Sequence, residues 1–174
     1  MPKPLRLSFD PVARARELWQ ERWRAEDSMA AATSIMRVQQ LLIARYDEAL
    51  RRHDLTFARY EALVLLTFSR TGRLPLSKIG ERLMVHPTSV TNIVQRLEQA
   101  GLVQRMPNPR DGRGTLAAIT GEGRAVVQAA TDDLVALDFG LEALDAEERE
   151  QLFVLLRKVR VAAEDFSGEA AEVR

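Results

Sequence analysis

The sequence predicts a mainly α-helical fold carrying one small β wing, and three observations predict it. Apolar residues recur at helical spacing through most of the chain. Between Leu76 and Gly101, two short helical patterns meet at a tight turn marked by Pro87. Directly after them, LVQRM and TLAAIT read as strands around PNPRDGRG, a turn with two prolines and two glycines. Helix, turn, helix and hairpin in this order make a winged helix-turn-helix, with further helices at both ends forming a dimerisation region.

Taken in order, Met1 to Leu7 reads as a frayed tail. Asp10-Pro11 starts a helix on which Val12, Ala15, Leu18, Trp19 and Trp23 follow at helical intervals. Two tryptophans carry too much apolar surface to leave in water, so both are expected to pack, either sealing a core or walling a ligand pocket. Glu26-Asp27-Ser28 reads as a break. A long helix then runs from Ser28 to His53 with Ile35, Val38, Leu42, Tyr46 and Leu50 on one stripe. Thr56 is placed to cap the next helix, Phe57 to Phe68, with Tyr60, Leu63, Val64 and Thr67 facing inward. Arg73-Leu74-Pro75 fits a short edge strand, where a proline is tolerated.

In the first helix of the central pair, Ser77 can accept from free backbone amides, and Ile79, Leu83 and Met84 form the apolar face. Pro87 opens the second, Val90, Ile93, Val94 and Leu97 anchor it, and Gly101 supplies a left-handed stop. Its outward face carries Thr88, Ser89, Thr91, Asn92, Gln95 and Arg96, which are donors, acceptors and one cation. A helix entering a major groove needs short polar side chains near its N-terminus, and its positive dipole end favours phosphate. Ser77, His86 and Pro87 join this candidate DNA-facing set. Arg110 and Arg113 would project from the hairpin tip, where an arginine can lie along a narrow minor groove.

After the wing, Thr120 and Gly121 start a helix bearing Ala125, Val126, Ala129, Ala130, Leu134, Val135 and Leu137, broken near Phe139-Gly140-Leu141. Asp145 with Glu148 forms a capping box for the last helix, whose stripe is Leu152, Leu155, Leu156, Val159, Ala163 and Phe166. The tail Ser167 to Arg174 reads as loose. The organisation expected is therefore N-terminal dimerisation helices over 1–55, a DNA-binding lobe over 56–124 and C-terminal dimerisation helices over 125–174.

The segment LSKIGERLMVHPTSVTNIVQRLEQAGLVQRMPNPRDGRGTLAAIT resembles the DNA-binding region of the MarR family of bacterial transcription regulators. The likeness rests on the leucine-serine opening, the proline-initiated helix with VTNIVQRLEQAGLV, and the D-x-R wing Asp111-Gly112-Arg113. It is dense over about fifty residues and sparser elsewhere. The resemblance implies that Arg113 is a minor-groove contact and that Asp111 holds the wing's shape by pairing with a neighbouring arginine, Arg96 or Arg113. It also implies a small aromatic or acidic effector bound between the dimerisation helices and the DNA-binding lobe. The added N-terminal helix is similar to a branch responding to urate or related anions, which places Trp19 or Trp23, Glu61 and Arg105 as effector candidates. The sequence departs at Ile93, where urate-responsive members place an arginine, and isoleucine cannot supply that charge-assisted partner. Arg105 reads equally as a strand-edge cation near DNA phosphate, and Glu61 as a partner for Arg59 or for an arginine of a second subunit.

Composition excludes several classes. With 174 residues and 46% hydrophobic content the chain can bury one good core, and it has no apolar run long enough to span a bilayer. The opening MPKPLRLSFDPVARAR lacks an apolar signal core, so a cytoplasmic protein is expected. No cysteine means no disulfide and no thiol chemistry, and with two histidines a structural zinc site lacks ligands. No cofactor or metal is called for. Catalysis would need a nucleophile with its base, a carboxylate pair or a phosphate-binding glycine loop. His53 falls at a helix end, His86 precedes Pro87, and the glycines near Gly112 belong to a hairpin, so an enzyme is not expected.

The formal net charge of zero hides an uneven distribution: +3 over residues 1–72, +4 over 73–124 and −7 over 125–174. The positive part coincides with the proposed duplex-facing lobe. The terminal helices have apolar stripes with few partners in one chain, which predicts a homodimer. Two-fold symmetry would then set two recognition helices into successive major grooves about 10 base pairs apart, on double-stranded DNA with a pseudo-palindromic sequence. The competing reading is an architectural DNA binder without sequence choice or effector.

Overall fold

A computed structural model describes residues 7–109 and 111–166, with 111–113 as backbone only. The tails at 1–6 and 167–174, and Arg110, lie outside the described residues. The chain divides into two compact units, one reaching to Ala136 and one from Leu137 onward.

In the first unit, α1 spans Pro11–Gln20, and its cap is as the sequence indicates: Asp10 Oδ1 accepts from the amides of Val12 at 2.8 Å and Ala13 at 3.3 Å. The expected break at Glu26-Asp27-Ser28 falls earlier. It occupies Glu21 to Ala25, where Ala25 takes φ 60°, and α2 runs from Glu26 to Leu50. Glu26 and Asp27 open this helix because carboxylates are favoured at its positive end. A single 3₁₀ turn, Arg51–His53, follows. Only the far half of the α2 stripe is buried: Tyr46 and Leu50 are inside, whereas Ile35 is 43% and Val38 47% exposed.

Helix α3, Phe57–Phe68, starts at Thr56, but the Thr56 side chain makes no cap bond. Asp47 Oδ1 accepts from the Phe57 amide at 2.6 Å instead, and Thr56 Oγ1 receives Arg59 Nε at 3.2 Å. The buried face is Tyr60, Ala62, Leu63 and Leu66, because α3 is contacted by α2, α4, α5, α6 and the sheet. Thr67 points outward, its hydroxyl donating to Leu63 O at 2.9 Å.

β1, Arg73–Pro75, leads into α4, Leu76–Leu83. Ser77 lies inside the first turn of α4 and makes no cap bond, since the helix begins ahead of it with Pro75 at the cap position. Met84, expected inside, takes φ 53° at the C-cap and is 81% exposed. The left-handed residue reverses the chain and throws the thioether out. Helix α5, Pro87–Gln99, then buries Val90, Val94 and Leu97, and Gly101 takes φ 73° as its stop.

β2, Val103–Asn108, and β3, Asp111–Ile119, form the wing, and the antiparallel sheet is ordered β1-β3-β2. Arg105 lies opposite Ala117 and Leu74 also opposite Ala117, on the other side of β3. The strands continue into the segment read as a turn, with a register shift between Pro107 and Asn108 that brings Asn108 opposite Asp111.

α6, Gly121–Ala136, begins where Thr120 Oγ1 accepts the Gly123 amide at 2.9 Å. Its buried face is Gly123, Val127, Ala130 and Leu134, rotated from the expected one, and Val135 is 60% exposed. The rotation follows from Gly123, where a Cβ would stand 2.2 Å from Leu102 O, so α6 can seat directly on that backbone. Leu50, Leu63, Leu66, Ile79, Leu97 and Leu134 are fully enclosed and join α2, α3, α4, α5 and α6 into one core. Two polar ties cross it: Tyr60 Oη to Thr131 Oγ1 at 3.1 Å, and His53 Nε2 to Asp133 Oδ2 at 2.6 Å.

In the second unit, a 3₁₀ turn at Asp138–Gly140 precedes α7, Ala146–Ala162, whose capping box of Asp145 and Glu148 is formed in both directions at 2.9 Å. Arg149 pairs with Asp138 and donates to Leu144 O at 2.9 Å. The guanidinium groups of Arg157 and Arg160 lie over the Phe166 ring at 5.2 and 5.5 Å. No described residue of α7 is buried.

Candidate nucleic-acid interface

The turn between α4 and α5 is fixed by its own sequence. Met84 reverses the chain, and His86 extends it with φ −60° and ψ 145°, the conformation a residue before proline must take. His86 Nδ1 accepts the Thr88 amide at 3.3 Å, which explains this histidine by turn geometry. Pro87 occupies the first turn, where a missing N–H costs nothing.

With Val90, Val94 and Leu97 held in the core, the other side of α5 turns to solvent. Thr88, Ser89, Thr91, Asn92, Gln95 and Arg96 are all exposed. The Thr91 hydroxyl donates to Pro87 O at 3.1 Å and keeps its lone pairs and methyl outward. The side chains of Asn92, Gln95 and Arg96 make no hydrogen bond or ion pair among the described residues. Burying Ile79 and Gly80 against Val90 places α4 beside this face, with Ser77 on the rim of a 680 Å³ groove that Pro87 and Thr91 also line. Asp111 and Arg113 fall at the start of β3, so their backbone belongs to the wing, and their side chains lie outside the described set as Arg110 does.

The sequence did not point to two further residues near this face. Arg59, from the first turn of α3, shares a 440 Å³ cleft with Thr56, Asn92, Ile93 and Arg96. Its signal in the sequence is a cation three residues after Thr56 at a helix start, whereas the sequence reading sets Arg59 only against Glu61. Glu98, near the end of α5, is the partner of Arg105 on β2, with Nε to Oε2 at 2.7 Å. A carboxylate this close to a basic strand is invisible until the hairpin folds back on the helix.

The effector candidates are not assembled in the single chain. Trp19 and Trp23 contact each other at 4.8 Å between ring centres, and Trp19 Nε1 donates to Arg24 O at 2.9 Å. Trp23 is nevertheless 59% exposed, contrary to the expectation that both rings pack, because α1 ends at Gln20 and leaves it in the break beyond the helix. Glu61 sits half-buried on α3, and burial pushes its carboxyl above the usual range. It forms no ion pair among the described residues, and the expected partner Arg59 donates to Thr56. Arg105 is committed to Glu98. None of Trp19, Trp23, Glu61 and Arg105 lines the clefts described above.

Comparison with known proteins agrees with this architecture. The MarR family profile matches residues 58–115, the span from α3 into the wing. The crystal structure of Sco5413, a MarR family transcriptional regulator from Streptomyces coelicolor, is 64% identical, covers 80% of this chain and 97% of its own, and superposes with a TM-score of 0.76. The chain belongs to the MarR family. A second structure, the MarR family regulator Sco3205 from Streptomyces coelicolor in complex with DNA, is 25% identical, with coverages of 86% and 95% and a TM-score of 0.74. Among curated relatives, the HTH-type transcriptional regulator MhqR of Bacillus subtilis is 28% identical over 83% of this chain and 99% of its own. MarR proteins of this kind are transcription regulators and not enzymes. No helix among the described residues of this MarR chain is long and apolar enough to cross a membrane.

Proposed function

We propose that this MarR-family chain is a sequence-specific DNA-binding repressor of transcription, acting in the cytoplasm as a homodimer on a pseudo-palindromic operator. The observation that carries the reading is the outward face of α5, where the side chains of Asn92, Gln95 and Arg96 have no partner among the described residues and stand next to a two-stranded wing. Free side-chain amides and a free guanidinium are the groups that read base edges and phosphates. The structure of the related Sco3205 is a complex with DNA, which supports a DNA-binding reading of this chain.

The dimer is supported by apolar side chains without cover in one chain. Met36 on α2 is 62% exposed, and Leu155 and Val159 on α7 are each 59% exposed. The organisation proposed is dimerisation helices over 1–55 and 125–174 around a reading lobe over 56–124. A small aromatic or acidic effector would use Trp19, Trp23 and Glu61, and Arg105 could join them only by releasing Glu98.

Fluorescence anisotropy with the promoter fragment beside the protein's own gene and a scrambled duplex, at two salt concentrations, tests the reading. A specificity ratio well above one at both salts is expected, and a ratio near one would leave only a sequence-tolerant architectural binder. A particle that sediments as a monomer at micromolar concentration would remove the dimer.

A further inference from the structure

We infer that Glu98 is a positioning residue that locks the wing to the recognition helix and thereby sets sequence discrimination. The inference rests on the DNA-binding reading above. Three bonds converge on this one carboxylate: the Arg105 backbone N–H donates to Oε1 at 3.2 Å, Arg105 Nε to Oε2 at 2.7 Å, and an Arg105 Nη to Oε2 at 2.6 Å. The side chains are 34% and 38% exposed, so as a surface pair they add little to folding. The backbone bond gives the pair a different use. A side-chain pair alone fixes two flexible ends, whereas a carboxylate that also holds the Arg105 amide fixes the path of β2.

The path of β2 fixes the wing. Arg105 lies opposite Ala117 of β3, and β3 runs back to Asp111, Gly112 and Arg113 at the tip. The position of that tip relative to Asn92 and Gln95 therefore depends on the angle at which β2 leaves the end of α5. Gly101 turns the chain at that point with φ 73°, and backbone bonds from Gly101 N to Glu98 O and from Leu102 N to Leu97 O, both 2.9 Å, hold the turn itself. Those bonds end at Leu102, and the Glu98 side chain carries the constraint on to Arg105, farther along β2. It also holds Arg105 as a neutral pair, and a released guanidinium would be an added cation for any duplex.

The test uses the full chain and a double-mutant cycle. Glu98→Ala removes all three acceptor bonds at a half-buried helical site, and Glu98→Gln keeps part of them. Operator affinity is expected to fall roughly tenfold in Glu98→Ala and less in Glu98→Gln, with affinity for a scrambled duplex unchanged or raised. In an Arg113→Ala background, Glu98→Ala should cost nothing further, because the wing contact it positions is already gone. A purely structural role would lower the melting temperature and would add in full to Arg113→Ala; either result overturns the inference, as does unchanged operator affinity in Glu98→Ala. If Arg113→Ala alone leaves operator affinity intact, the wing contact is refuted and the inference with it, while an operator preference in the parent chain keeps the DNA reading standing.

Discussion

The imidazole of His53 lies 2.6 Å from the carboxylate of Asp133, joining the 3₁₀ turn after α2 to the far half of α6. Arg52 pairs with the other oxygen of the same carboxylate. Burial, with Arg52 beside the ring, pushes His53 below its ordinary range, so near neutral pH the ring serves as a neutral donor to Asp133. Asp133→Ala removes the acceptor for two cross-element donors, one of them only 14% exposed. The expected loss is about 1–3 kcal/mol of unfolding free energy, read as a lower urea midpoint with an unchanged slope.

Gly123→Ala should be worse than its single methyl suggests. The new carbon would stand 2.2 Å from Leu102 O and 2.9 Å from an Ile119 side-chain carbon, and the first of these is backbone. Relief requires α6 to lift from the backbone that follows α5, at a cost of about 1–3 kcal/mol or more. A thermal melt comparing Gly123→Ala with an alanine at exposed Glu122 separates this clash from a general helix effect.

Glu61 gives a pH signature. Its folded carboxyl is raised by burial, so its contribution to stability is complete below the unfolded value of about 4.3 and is lost as pH rises through the folded value. At neutral pH the ionised group is a cost. Glu61→Gln is therefore expected to raise the melting temperature at pH 7 and to change it little at pH 4. Equal effects at the two pH values would contradict the assignment.

On DNA, two substitutions should act differently. Asn92→Ala should reduce discrimination at one base position by about 1–3 kcal/mol while leaving affinity for a scrambled duplex in place. Arg113→Ala should weaken binding to every operator variant and reduce the slope of log affinity against log salt by about one. Titrations across a panel of single-base operator variants at several salt concentrations distinguish these outcomes.

Much of this was legible in the sequence, and what was not has identifiable causes. Asp10, Pro87, Gly101 and the Asp145-Glu148 box marked helix ends correctly because each acts on backbone atoms within a few residues. Ser77 and Thr56 have the same chemistry but do not cap, since Pro75 starts one helix earlier and Asp47, from another helix, reaches the amide of Phe57. The rotation of α6 and the outward turn of Met84 depended on a close backbone approach and a left-handed residue, neither of which leaves a periodic trace. The polar face of α5 could be read from spacing alone. Its neighbours Arg59 and Glu98 could not, because they arrive from another helix or acquire meaning only from a strand that folds back.

The two outer strands of the small sheet have a consequence for crowding. An open strand edge invites pairing with another chain, and here each edge is blunted. On β1, three residues long, Pro75 has no amide proton to offer. On β2, the amide of Arg105 is already satisfied by Glu98, and Pro107 has none. Copies of this protein that meet edge to edge find no ladder to extend, so the proposed pairing through the helices meets no competition from the wing that would lie against a chromosome.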